Sequence, residues 1–158
     1  MKIVPYEKKY KKAFIDLNIA WIEAFFAPEA ADYEVLDHVE EQLRRGGMIY
    51  FALEGEEVLA ACMAHPLENG VWEICKLAAS GQYTGTGAGS AVFRACMDYA
   101  IAHGAKKLRL ISNRRLKPAL HIYEKFGFRE VPLQKAEWGY ERADIEMEYL
   151  VNPGREDA

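Results

Sequence analysis

Cysteine, excess positive charge and long apolar runs are all scarce in this sequence, and each scarcity removes a class of protein. Three cysteines, Cys62, Cys75 and Cys96, stand in 158 residues. Their odd number and their places inside apolar stretches exclude a disulfide framework and offer no paired spacing for zinc. A reducing compartment is the expectation. The opening Met-Lys-Ile-Val-Pro-Tyr carries no apolar leader, and Glu23 interrupts the apolar stretch from Ile19 to Ala27, so no membrane segment is expected and the chain reads as cytoplasmic. Twenty Lys and Arg against 24 Asp and Glu leave a net charge of −4. That balance lacks the basic face that nucleic-acid binding requires and suits a cationic or amine-bearing partner better. No Gly-Lys-Ser or Gly-Lys-Thr follows any glycine-rich loop, which excludes a P-loop. No repeat or low-complexity tract is present.

What is present suits one compact domain. Half of the residues, 51%, are hydrophobic and 28% are charged, enough for a single core spanning residues 1–151, with 152–158 expected as a flexible tail. Lys2 to Pro5 reads as a strand, and helical periodicity covers Lys8 to Phe25 and Ala30 to Arg44, where Gly46-Gly47 stops it. Met48 to Leu53, Val58 to His65 and Val71 to Ala79 read as an antiparallel meander, with Asn69-Gly70 as its second turn. From Gly87 to His103 small and apolar residues recur at helical spacing, and Lys107 to Ile111 is the next strand. The β-α-β link implies a right-handed crossover and a parallel pair. Pro118 opens a helix through Phe126, ended by Gly127, and strands near Phe128 to Pro132 and Asp144 to Leu150 complete the sheet.

At the start of the third expected helix stands Gln82-Tyr83-Thr84-Gly85-Thr86-Gly87-Ala88-Gly89. Gly85, Gly87 and Gly89 remove side chains where an anion must approach main-chain N–H groups, and a helix N-terminus follows with unpaired donors and a positive dipole end. A phosphorylated cofactor is therefore expected. A dinucleotide-binding oxidoreductase does not fit: Ser90 stands where the third glycine of its fingerprint belongs, and Ile111-Ser112 where its acidic residue belongs.

With Gln82-x-x-Gly85-x-Gly87-Ala88 joined by Asn113 and by Ala119-Leu120-His121-Ile122-Tyr123-Glu124-Lys125-Phe126-Gly127-Phe128, nearly the whole chain resembles the GNAT-superfamily N-acetyltransferases. The segment Tyr140 to Met147 is similar to the closing strand of many bacterial members. The resemblance implies an α/β fold with a mixed, mostly antiparallel central sheet of about six to seven strands and helices on both faces. It also implies transfer of an acetyl group from acetyl-coenzyme A to a primary amine of a small molecule or peptide. No metal, nucleic acid or membrane is expected to take part. Many members dimerise, so a homodimer is among the expected states. The rival reading is a catalytically silent acyl-coenzyme A binding or sensing domain.

The resemblance also implies site roles. Backbone amides of Gln82, Tyr83, Thr84, Gly85, Thr86 and Gly87, with Ala88 opening the helix, would hold the pyrophosphate, and Leu77 and Ala79 the pantetheine arm as an added strand. Asn113 would contact that arm or the acceptor, though Asn at a strand end is equally a turn residue. An alkylammonium must lose a proton before it can attack a thioester. Glu73, on the strand before the loop, is the candidate base; an exposed or cross-paired strand carboxylate is the bland alternative. Alternation puts Glu73, Cys75 and Leu77 on one face and Ile74 and Lys76 on the other, and Lys76 is given no role. A backbone N–H near Leu77 would serve the developing oxyanion. Tyr123 matches the family's general acid, although Leu120, Tyr123 and Phe126 also recur at core spacing. Trp21, Phe25, Phe26 and Tyr33, with Glu29, Asp32, Glu34, Asp37, Glu40 and Glu41, could form an aromatic and acidic mouth for an amine, or be core rings beside a solvated acidic helix. His65, His103 and His121 share no spacing and are read as structural.

Overall fold

A seven-stranded sheet organises the chain, seen in a computed structural model that describes residues 1–81, 85–134 and 139–152. In chain order the elements are β1 (Lys2–Pro5), a 3-10 turn (Lys8–Tyr10), α1 (Lys11–Phe25), α2 (Ala30–Leu36), α3 (Val39–Arg44), β2 (Met48–Glu54) and β3 (Glu57–Pro66). They continue with β4 (Val71–Ala79), α4 (Ala88–Ala102), β5 (Lys107–Ser112), α5 (Lys117–Lys125), β6 (Arg129–Val131) and β7 (Ile145–Leu150). The strand order is β1-β2-β3-β4-β5-β7-β6. All neighbours are antiparallel except β4 and β5, the parallel pair that the α4 crossover demands.

Each face of the sheet carries its own core. On one face α4 lays Ala88, Val92, Cys96 and Ala100, spaced four apart and all fully buried, against Cys62, Ile74 and Leu108. Small residues at that period let the helix axis approach the strands closely. On the other face Phe14, Leu36 and Val39 pack on Ile49, Phe51 and Met63.

The single helix expected from Ala30 to Arg44 is two. His38 leaves helical space at φ −132° and ψ 37°, and the turn brings Leu36 and Val39 into one core at 1% exposure each. No Gly or Pro marks this break, so the apolar period ran through it unnoticed.

Candidate active site

Two departures from regular strand geometry open a site at the centre of the sheet. β4 pairs with β5 only at Val71, Trp72 and Glu73, opposite Lys107, Leu108 and Arg109. Beyond Glu73 the strands diverge, while β5 keeps its pairing with β7 along its whole length. Within β4 a bulge sits opposite Cys62: Ala61 pairs with Ala78 and Met63 with Cys75, leaving both Lys76 and Leu77 across one residue of β3. Lys76 takes left-handed backbone, φ 54°, which an L-residue with a long side chain adopts only under compulsion.

The bulge reverses the expected alternation. Leu77 packs with Ile74 against the α4 core, while the side chain of Lys76 turns to the α2 side and meets Asp32 at 2.8 Å. The expectation that Glu73, Cys75 and Leu77 share a face, with Lys76 opposite, is corrected accordingly.

A cavity of about 110 Å³ occupies the divergence, and Glu73, Leu77, Asn113 and Tyr123 all line it, together with Trp21 and Phe26. Residues far apart in sequence are thus gathered at one place. Tyr123 is 7% exposed, its ring 5.1 Å from that of Phe93. Burial raises its phenol well above the usual value, with Cys62 adding to this and a hydrogen bond with Ser112 opposing it. The hydroxyl keeps its proton at any ordinary pH. Asn113 is committed within the protein: Nδ2 donates to the Arg142 carbonyl at 2.7 Å, and Oδ1 accepts from the Arg115 N–H at 2.8 Å. It therefore tethers the 139–143 segment to the end of β5.

Ala79 pairs with Ala60 and packs on the α4 side. Gly85, Thr86, Gly87 and Ala88 stand at the start of α4 rather than in the cavity wall. Gly87 is the N-cap at φ 90° and has no side chain to cap with; the Ala88 N–H donates to Thr86 Oγ1 at 3.4 Å, and the first turn of α4 is of the kind whose backbone donors an anion takes up. The residues fit coenzyme A on both counts: a helix N-terminus for phosphates and an unpaired strand edge for amides. Gln82, Tyr83 and Thr84 lie outside the described residues.

Four of the six acidic residues expected at the mouth, Asp32, Glu29, Glu40 and Glu41, are engaged within the protein. Asp32 is fully buried and takes two hydrogen bonds from Arg142, at 2.6 and 2.7 Å, besides that of Lys76. Burial works to raise its pKa, but the Arg142 guanidinium and the Lys76 ammonium outweigh it and hold the carboxyl down to about 2. Glu29 accepts from the backbone N–H groups of Glu141 and Arg142, Glu40 pairs with Lys11 and Glu41 with Arg45. Lys76 also donates to the Tyr140 hydroxyl at 2.9 Å, whose own pKa burial pushes up to about 12. Trp21 and Phe26 do line the cavity. Lys76, Tyr140 and Arg142 are the site residues that sequence reasoning missed.

His65 and Glu73 face each other across the β3–β4 pair, so Glu73 is cross-paired, as the bland alternative had it. Nε2 of His65 lies 2.6 Å from Oε1 of Glu73. Among the described residues His65, Glu73 and Cys75 are the one group of metal-type donors in mutual reach, within 4.8 Å. Burial and the nearby Glu73 push the Cys75 thiol up, and the histidine and carboxylate already satisfy each other, so the set suits a hydrogen-bonded pair better than a metal ion. No helix among the described residues is long and apolar enough to cross a membrane.

Comparison with known proteins agrees with this fold. The structure superimposes on a GNAT-family acetyltransferase of Staphylococcus aureus Mu50 with a TM-score of 0.85 at 16% identity, covering 96% of this chain and 99% of that one. An acetyltransferase of Streptococcus agalactiae 2603 gives 0.79 at 23% identity, covering 95% and 98%. The PaiA N-acetyltransferase of Thermoplasma acidophilum, solved in complex with coenzyme A, gives 0.73 at 12% identity, covering 96% and 100%. No curated protein sequence matches the chain. Residues 14–128 match the model of the acetyltransferase (GNAT) family, and the chain belongs to that family.

Proposed function

We propose that this protein transfers the acetyl group of acetyl-coenzyme A to a primary amine of a small molecule or peptide. The observation that carries the reading is the divergence of β4 from β5 beyond Glu73, which sets Glu73 and Tyr123 in the wall of one cavity. Coenzyme A, when bound, supplies the acetyl thioester. Gly85 to Ala88, with Gln82, Tyr83 and Thr84, would hold its phosphates by backbone N–H groups, and the free edge of β4 at Leu77 and Ala79 its amide arm.

Glu73 takes a proton from the incoming ammonium, directly or through one water, so that the amine can attack. The N–H near Leu77 donates to the developing oxyanion. The bulge supports that role, because it removes Leu77 from regular pairing with β3. Tyr123, kept protonated by its burial, donates a hydrogen bond to the departing sulfur and passes it a proton, which the surplus proton of the acylated nitrogen then restores to the phenol, so that a thiol and a neutral amide leave. Trp21 and Phe26 would shape the acceptor entrance.

Isothermal titration with acetyl-coenzyme A, followed by thiol-release assays against pools of amines, amino acids and peptides, tests the reading. Binding with release from one pool is expected, and Glu73→Gln should retain binding while losing release. Binding with no release on any pool would favour the silent sensing domain. Absence of binding would remove the cofactor assignment.

A further inference from the structure

Glu73 opens onto two cavities. Besides the one between β4 and β5, it lines a larger one of about 570 Å³ on the α2 side, and there His65 stands beside it. His65 and Glu73 are Cα partners across the antiparallel β3–β4 pair, so their contact is fixed by strand register rather than by the reach of flexible chains. Both side chains are largely buried, 14% and 13% exposed. An ionised carboxylate offers only acceptors, so the hydrogen in this 2.6 Å contact belongs to the ring nitrogen. Without this donor the largely buried Oε1 of Glu73 would have no side-chain partner on that side among the described residues.

We propose that His65 is a positioning residue for Glu73: its Nε2–H holds Oε1, fixes the carboxylate in place, and leaves Oε2 as the oxygen available to an acceptor amine. The inference rests on Glu73 being the base. Other groups face the pair from every side. Glu34 on α2, Glu68 before the β4 turn, Arg109 on β5, Cys75 on β4 and Tyr140 from the 139–143 segment line the same cavity. Arg109 is directed to Glu146 at 2.8 Å, and Tyr140 to Lys76. The Cys75 thiol is held neutral by burial, and Glu34 and Glu68, as carboxylates, offer Glu73 no N–H donor. Among these contacts His65 supplies the direct N–H donor to Glu73.

The test is a carbon-13 titration of the Glu73 side-chain carboxyl in protein labelled at glutamate Cδ, assigned by its loss in Glu73→Gln. His65→Leu removes the donor at similar volume, and His65→Gln restores an N–H that does not titrate. Glu73 is expected to take up its proton about one pH unit or more higher in His65→Leu than in the wild type, with His65→Gln moving it back. Nitrogen-15 shifts of the wild-type ring should report hydrogen on Nε2. Identical Glu73 curves in wild type and His65→Leu would overturn the proposal. Wild-type thiol release by Glu73→Gln would instead sink the base assignment and leave the titration result standing, so the two failures are told apart.

Discussion

Lys76 Nζ lies 2.8 Å from Asp32 Oδ1, and the residue that makes this buried contact has left-handed backbone. The strain of the bulge and the ion pair are coupled: an extended Lys76 would project toward α4 and could not reach α2. Lys76→Met keeps the unfavourable φ and strips Asp32 of its ammonium, whereas Lys76→Gly relieves the φ. Both should destabilise, because breaking a buried pair costs about 3–5 kcal/mol when nothing else compensates, and here Arg142 compensates in part. The expected order in urea melts is wild type, then Lys76→Gly, then Lys76→Met, the last two separated by about 1 kcal/mol. A Met variant as stable as the Gly variant would show that the backbone is unstrained.

Acid should find the same cluster. Asp32 is held down to about 2 in the folded protein, below its ordinary value of about 3.9. A depressed carboxylate stabilises the fold above its unfolded pKa and loses that contribution as pH falls through the folded one. Roughly 2 kcal/mol should therefore disappear between about pH 4 and pH 2. In Asp32→Asn this part of the pH dependence should be absent, measured as urea midpoints across that range.

Gly87 separates backbone strain from ligand contact. Its φ of 90° penalises any side chain, although a Cβ there would meet nothing within 4 Å. Gly87→Ala should lower stability by about 1–2 kcal/mol and leave coenzyme A affinity within a few-fold. Gly87→Glu should abolish binding in calorimetry, since it sets a carboxylate against the phosphates. Equal affinity for both variants would dismiss the loop as the phosphate site.

Tyr123→Phe preserves the ring contacts with Phe93 and Phe128 and deletes only the hydroxyl. Turnover on the true acceptor should fall about 100-fold, a typical general-acid contribution, while calorimetric affinity for coenzyme A stays put. A fall of less than threefold would assign Tyr123 to the core alone.

The elements were legible in the residues, because periodicity and turn chemistry are local. Val71–Ala79 and Lys2–Pro5 stand where they were expected, and the parallel β4–β5 pair followed from the crossover. What escaped was register and its defects. A two-residue turn at Asn69-Gly70 would pair His65 with Ile74. An additional bond from the Leu67 N–H to the Val71 carbonyl shifts the pairing by one and sets His65 opposite Glu73. The Lys76 bulge has no glycine to announce it, so strict alternation assigned Lys76 and Leu77 to the wrong faces. Arg142 and Asp32 are 110 positions apart, and no spacing rule connects them. The phosphate-loop residues were named from the glycines and the family resemblance together, and Gly85 and Gly87 do take the positive φ that glycine permits.

The seam between β4 and β5 has a consequence for how the molecule breathes. Strands β1 to β4 and strands β5, β7 and β6 form two antiparallel ribbons, joined at one end of their seam by the pairing of Val71, Trp72 and Glu73 and by the Gly70 carbonyl, which accepts from Lys106 and Lys107. Backbone amides of β4 that face the gap lack a ladder partner there and should trade hydrogen for deuterium quickly, while those between β2 and β3 hold theirs far longer. An added strand of ligand would knit the two ribbons together, so slowed exchange along Ile74 to Ala79 would map where the cofactor's arm lies without any turnover being needed.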